Sequence, residues 1–125
     1  ANSEAGGMPY GQIEMNGQEI FIFALKVVPK LIRDILEKNR MDAEDVDLYI
    51  FHQANGFLLD VLRRKLKIPR EKFFGFMENI GNTVSASIPI AIKEAVSSGK
   101  ATKGSKIMLV GFGTGLSWGG TVIQL

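Results

Sequence analysis

The sequence predicts an α/β domain in which a mostly parallel sheet is covered by helices. Three observations carry that prediction. Short apolar runs, Asp47–Phe51 and Lys106–Val110, alternate with longer stretches whose apolar residues recur every three or four positions. Turn and breaker residues such as Pro69, Gly81-Asn82 and Ser98-Gly99 punctuate the boundaries. Strands separated by helices pair in parallel, whereas the last two strands, joined through glycines, read as an antiparallel hairpin.

Residues 1–19 carry glycines at 6, 7, 11 and 17 and Pro9, and read as a loop or docking arm. From Phe21 the spacing of Phe21, Leu25, Val28, Ile32 and Ile35 places one apolar face on a helix. Pro29 lacks an N–H, so a kink or a restart is expected there. Asp47–Phe51 is a buried strand that runs directly into His52-Gln53-Ala54-Asn55. Leu58, Leu59, Leu62 and Leu66 give a second helix, stopped by Pro69. Phe73-Phe74-Gly75-Phe76 reads as a strand and Gly81-Asn82-Thr83 as a turn. Ser85 or Ser87 can cap the next helix, with Pro89 early in it and Ser98-Gly99 at its end. Lys106–Val110 is the next strand, Gly111–Gly120 a glycine-rich hairpin, and Thr121–Leu125 the closing strand.

The chain has 125 residues, the length of one domain, and 46 % apolar residues give it a real core. It holds no cysteine, which excludes a disulfide scaffold, a thiolate metal site and a cysteine nucleophile within these residues. No metal or cofactor is expected. A net charge of +2 gives no argument for nucleic acid. No apolar run approaches the roughly 18 residues of a membrane span, and Ala1–Gly7 has no signal-peptide pattern. The expectation is a cytoplasmic domain with neither a membrane nor a nucleic acid as partner.

Ligands of open α/β sheets sit beyond the carboxyl ends of the strands. His52 follows one predicted strand, Asn82 follows the next within a few residues, and Gly111-Phe112-Gly113-Thr114-Gly115 follows the third. His52 is either a packed histidine or a neutral donor or base. Asn82 is either a plain turn residue or an uncharged amide donor. Asn55 fits a helix cap. The glycine segment lacks the following helix and the G-K-[ST] of a nucleotide loop, which makes a nucleotide-binding domain a poor reading. It suits a close backbone crossing whose N–H groups face an oxyanion. Arg63, Arg64, Lys65 and Lys67 crowd the end of the second helix, as a solvated face or as a patch for an acidic partner.

Four stretches taken together resemble the C-terminal half of a β-ketoacyl-acyl carrier protein synthase III, of the thiolase-like superfamily. They are Met15–Phe21, Phe51-His52-Gln53-Ala54-Asn55, Gly81–Pro89 and Gly111–Gly119, in the family's order and spacing. The resemblance implies a three-layer thiolase-like half-domain. It implies a parent that acylates a cysteine from acyl-CoA and condenses it with malonyl-carrier protein, releasing CO₂, at the start of fatty-acid synthesis. His52 and Asn82 match two members of that family's Cys-His-Asn triad. The backbone N–H of Thr114 matches a second oxyanion site. Gly17, Phe21 and Asn55 match a pantetheine channel, and Arg64 and Lys65 a basic pair that docks the carrier protein. Phe57 stands where the family often has arginine.

The resemblance also implies that the cysteine lies in a missing N-terminal half, so these residues alone are expected to form no acyl-enzyme. It implies a homodimer. It further implies a first strand of this half preceding Ala1, central in the half-sheet. Two other readings stand beside it: a non-catalytic half-domain that binds carrier protein or a complementing half, and a ketosynthase relative of secondary metabolism.

Overall fold

The computed structural model describes residues 15–125. Its elements are α1 (Gly17–Asn39), β1 (Leu48–Phe51), α2 (Gly56–Lys65), β2 (Phe73–Phe74), α3 (Met77–Ile80), α4 (Ser87–Ser97), β3 (Lys106–Gly113) and β4 (Ser117–Gln124), with short 3₁₀ turns between some of them.

Helix α1 starts at Gly17, earlier than the arm reading allowed. Asn16 supplies the cap, its Oδ1 accepting the Glu19 N–H at 3.2 Å. Residues 17–19 are therefore helical, and 1–14 of the expected arm lie outside the described residues. Pro29 neither ends the helix nor restarts it. Ala24 and Val28 before it and Ile32 and Ile35 after it are all buried on one face. Burial of a Val or Ile side chain gives about 1.5–3 kcal/mol. Three of them outweigh the roughly 3 kcal/mol that an interior proline costs.

The sheet has four strands in the order β2-β1-β3-β4. β1 lies parallel to β2 and to β3, with Ile50 opposite Phe74 and Leu109. β4 runs antiparallel to β3 from Lys106↔Gln124 to Gly113↔Ser117. The glycine-rich segment is thus the expected hairpin, strand on both sides of a short link at 114–116. β2 holds only Phe73 and Phe74, and 77–80 form one helical turn, so the predicted strand at 73–76 is half its expected length.

β1 and β3 pair directly, as do β3 and β4. The described sheet therefore has no vacancy in its middle. That corrects the expectation of an absent central strand: a further strand can join only at the β2 or β4 edge.

Alternation along the strands builds two cores. Tyr49, Phe51, Met108, Val110 and Phe112 face α1 and α2. Leu48, Ile50 and Ile107 face α4, which meets them through Ala91 and Ala95. The result is three layers, helix on sheet on helix. β4 passes close to its neighbours at Gly120, where a Cβ would sit 2.6 Å from the Leu109 carbonyl oxygen and 2.9 Å from Ile35 Cδ1.

Candidate functional site

The site forms where β1 and β3 end. His52 continues the ladder one residue past β1, its N–H donating to the Val110 carbonyl at 2.8 Å. That bond fixes the backbone from which the imidazole projects. The ring lies edge-on to Phe112 of β3, with centroids 5.7 Å apart. Its Nδ1 lies 2.8 Å from the hydroxyl of Ser87, the first residue of α4. Burial pushes the imidazole below its ordinary pKa, with the backbone of Val84 pulling the other way. A neutral ring is thus favoured at neutral pH.

Gln53 is fully buried and holds the bend after β1. Its Nε2 donates to the Phe51 carbonyl at 2.7 Å, and its Oε1 accepts the Phe76 N–H at 3.0 Å. Its own N–H donates to Ser87 Oγ at 3.3 Å. The side chain that follows the histidine therefore ties β1 to the segment leading into α3.

Asn82 sits in the connection between α3 and α4. Its Oδ1 accepts the Val84 N–H at 2.9 Å, the short-range bond by which asparagine stabilises turns. Its Nδ2 reaches the Ala54 carbonyl at 3.4 Å, two residues past His52. The turn holds Val84 at a φ of 55°, a left-handed conformation that costs a β-branched residue strain. His52 and Asn82 thus belong to segments bonded to one another twice, through Ser87 and through Ala54.

Neither Ser85 nor Ser87 caps α4; its N-cap is Ala86, with no side-chain bond. The Ser87 hydroxyl is committed to His52 and Gln53 instead. Nothing in the local sequence signals this, because the partners lie 34 and 35 residues away.

Thr114 opens the exposed link between β3 and β4, and its carbonyl accepts the Ser117 hydroxyl at 2.6 Å. Gly17 and Phe21 lie in the first turns of α1, and Asn55 at the start of α2. Phe21 stacks on Phe57 at 5.7 Å and 17°, which brings the two helix starts together. Asn55 is a working cap, its Oδ1 accepting the Leu58 N–H at 2.8 Å. Met15, Ile22, Phe57 and Val84 leave large apolar surfaces exposed near these helix starts and the Asn82 turn.

Arg64 and Lys65 stand exposed at the far end of α2, about 15 Å along its axis from Asn55. Asp60 binds both Arg63 and Arg64, and their hydrogen bonds, Arg64's first, hold its carboxyl below the usual range. Arg63 also reaches the Ile68 carbonyl at 3.2 Å, so it serves the helix end. Lys65 makes no ion pair among the described residues.

Comparison with known proteins agrees with this geometry. Residues 36–125 match the family model of the 3-oxoacyl-[acyl-carrier-protein (ACP)] synthase III C terminal. A β-ketoacyl-[acyl-carrier-protein] synthase III of Clostridium perfringens (strain ATCC 13124) is 50 % identical over 113 residues, covering 90 % of this chain and 35 % of its own length. The chloroplastic synthase III B of Cuphea wrightii is 40 % identical over 115 residues, covering 92 % of this chain and 29 % of its own. The chain thus spans about a third of the length of such relatives.

The crystal structure of 3-oxoacyl-[acyl-carrier-protein] synthase III from Aquifex aeolicus VF5 superposes with a TM-score of 0.88 at 41 % identity, over 92 % of this chain and 37 % of that one. The priming β-ketosynthase of the R1128 polyketide pathway gives 0.84 at 34 %, over 90 % and 34 %. The three-layer arrangement is thiolase-like, as the four sequence stretches implied. From its sequence match and its fold, the chain belongs to the 3-oxoacyl-[acyl-carrier-protein] synthase III C-terminal family.

Proposed function

We propose that this chain is the part of a 3-oxoacyl-ACP synthase III that activates the malonyl thioester, with His52 and Asn82 as its two side-chain donors. The observation that supports this reading is that two segments meet beyond the carboxyl end of β1: His52 follows that strand, and the Asn82 turn is bonded to the same stretch at Ala54.

Decarboxylation of a malonyl thioester breaks the bond to the carboxylate carbon and leaves its electron pair as an enolate. Negative charge builds on the thioester oxygen only as that bond breaks. Two fixed, uncharged donors aimed at that oxygen stabilise the transition state more than the ground state. The enolate carbon then attacks the acyl thioester held on a cysteine, which departs as thiolate. In this reading the cysteine comes from a segment outside these 125 residues. The backbone N–H of Thr114 receives the oxyanion of that second step. Gly17, Phe21 and Asn55 line the approach of the pantetheine arm, and Arg64 and Lys65 meet the acidic carrier protein. The protein works without a metal or cofactor, on acyl-CoA and malonyl-ACP, as a homodimer in the cytoplasm, at the first condensation of fatty-acid synthesis.

The test separates the two half-reactions in the full-length protein. His52→Ala and Asn82→Ala are each expected to slow condensation by about 10²–10³. Transfer of the acyl group from CoA to the cysteine should survive in both. Condensation at the unmodified rate in either variant would remove that residue from the mechanism.

A further inference from the structure

We propose that Ser87 is a positioning residue of this site: its buried hydroxyl donates to Nδ1 of His52 and so holds the neutral ring in the tautomer that carries its proton on Nε2. The tautomer assignment stands on the hydrogen-bond geometry alone; its consequence for catalysis rests on the reading of His52 as a donor to substrate.

A hydroxyl has one hydrogen to give and two lone pairs to receive with. Ser87 is fully buried, so water does not complete its bonding. One lone pair already receives the Gln53 N–H at 3.3 Å. The other close polar atom is His52 Nδ1 at 2.8 Å. Were the proton on Nδ1, the oxygen would receive two hydrogen bonds and its own hydrogen would have no acceptor among the described residues. A buried donor left in that state is disfavoured about fivefold or more. With the hydrogen of Ser87 directed to Nδ1, the Ser87 hydroxyl, the Gln53 N–H and Nδ1 are all satisfied, while the Val84 backbone also faces the ring. The same orphan would arise if the ring carried two protons. Nε2 is then left as the nitrogen that bears hydrogen.

The arrangement also accounts for the Ser87 hydroxyl making no cap bond at the start of α4: it is engaged by His52 and Gln53.

The experiment is a long-range ¹H–¹⁵N spectrum of the full-length protein labelled with [¹⁵N]histidine, at a pH where the ring is neutral. His52 is assigned by the signals lost in His52→Gln. The expected pattern is a protonated, pyrrole-type ε2 nitrogen and a pyridine-type δ1 nitrogen. Ser87→Ala should raise the Nδ1–H population about fivefold or more, and Ser87→Thr, which keeps the hydroxyl, should restore the original pattern. Should Ser87→Ala fail to fold, Ser87→Cys keeps the volume with a weaker donor and should shift the ratio in the same direction. A proton on Nδ1 in the unmodified protein, or an unchanged pattern in a folded Ser87→Ala or Ser87→Cys variant, overturns the proposal. A shifted tautomer with unchanged condensation supports the positioning by Ser87 and instead overturns the donor role of His52.

Discussion

The imidazole of His52 stands edge-on to the ring of Phe112, with centroids 5.7 Å apart and planes at 85°. Phe112 is buried near the end of β3, and His52 is the first residue past β1. The parallel pairing of the two strands thus sets the distance between a polar ring and the apolar wall that limits its tilt. Phe112→Leu keeps an apolar side chain there and removes the flat wall. The expected result is a loss of about tenfold in condensation, which corresponds to about 1.4 kcal/mol. Stability should change by less than about 1.5 kcal/mol, since hydrophobic swaps of similar volume are tolerated. Steady-state kinetics alongside urea unfolding checks both; unchanged kinetics would show that the wall does not steer the ring.

Burial lowers the pKa of His52 below 6.5, so the folded state binds a proton less readily than the unfolded chain does. The stabilisation is complete above the unfolded value and is lost as pH falls through that value toward the folded one. Melting temperature should therefore drop between about pH 7 and pH 5 more steeply in the unmodified protein than in His52→Gln. Calorimetry across that range decides it, and parallel curves would contradict the effect.

Gln53 offers a purely structural test. Gln53→Leu leaves the Phe76 N–H without its side-chain acceptor and removes a donor from the Phe51 carbonyl. A destabilisation of about 2–4 kcal/mol is expected, since each buried orphan costs about 1–3 kcal/mol. Denaturant titration reads it. A shift under 1 kcal/mol, on the order of a surface substitution, would mean that the bend after β1 is held by other means.

Lys65 is the cleaner of the two docking residues to reverse, because Arg64 is already tied to Asp60. Lys65→Glu should raise KM for a carrier-protein substrate several-fold while leaving KM for an acyl-CoA substrate unchanged. The difference should fade toward 0.5 M salt, where the screening length falls to about 4 Å. Equal effects on both substrates would place Lys65 outside any carrier-protein contact.

Most of the framework was legible in the sequence because it follows from periodicity. Val28, Ile32 and Ile35 announce the buried face of α1, and the runs at 47–51 and 106–110 announce the central strands. The restart expected at Pro29 does not occur, because burial on both sides of it outweighs one missing N–H. β2 shrank to Phe73-Phe74 because aromatic content alone does not supply a partner along its whole length. Within the site, the places of His52 and Asn82 after strands single them out, whereas Thr114 is picked out only by the family resemblance. The local pattern shows Phe112 only as part of a glycine segment and Ser87 only as a cap. Both are defined by contacts across the fold that no local pattern carries.

The close passage at Gly120 has a bearing on how the hairpin finds its alignment. Residues two apart share a strand face, so a slip of β4 by two positions would bring Trp118 or Val122 to the place opposite Val110 that Gly120 holds. Either side chain would collide with the Leu109 carbonyl and Ile35 before the ladder closed. A slip by one would turn Val122 and Ile123 onto the wrong faces of the sheet. A single residue without a side chain thus acts as a keyway for β4, admitting one alignment and rejecting its neighbours during assembly, with Thr114 delivered to the same place each time the chain folds.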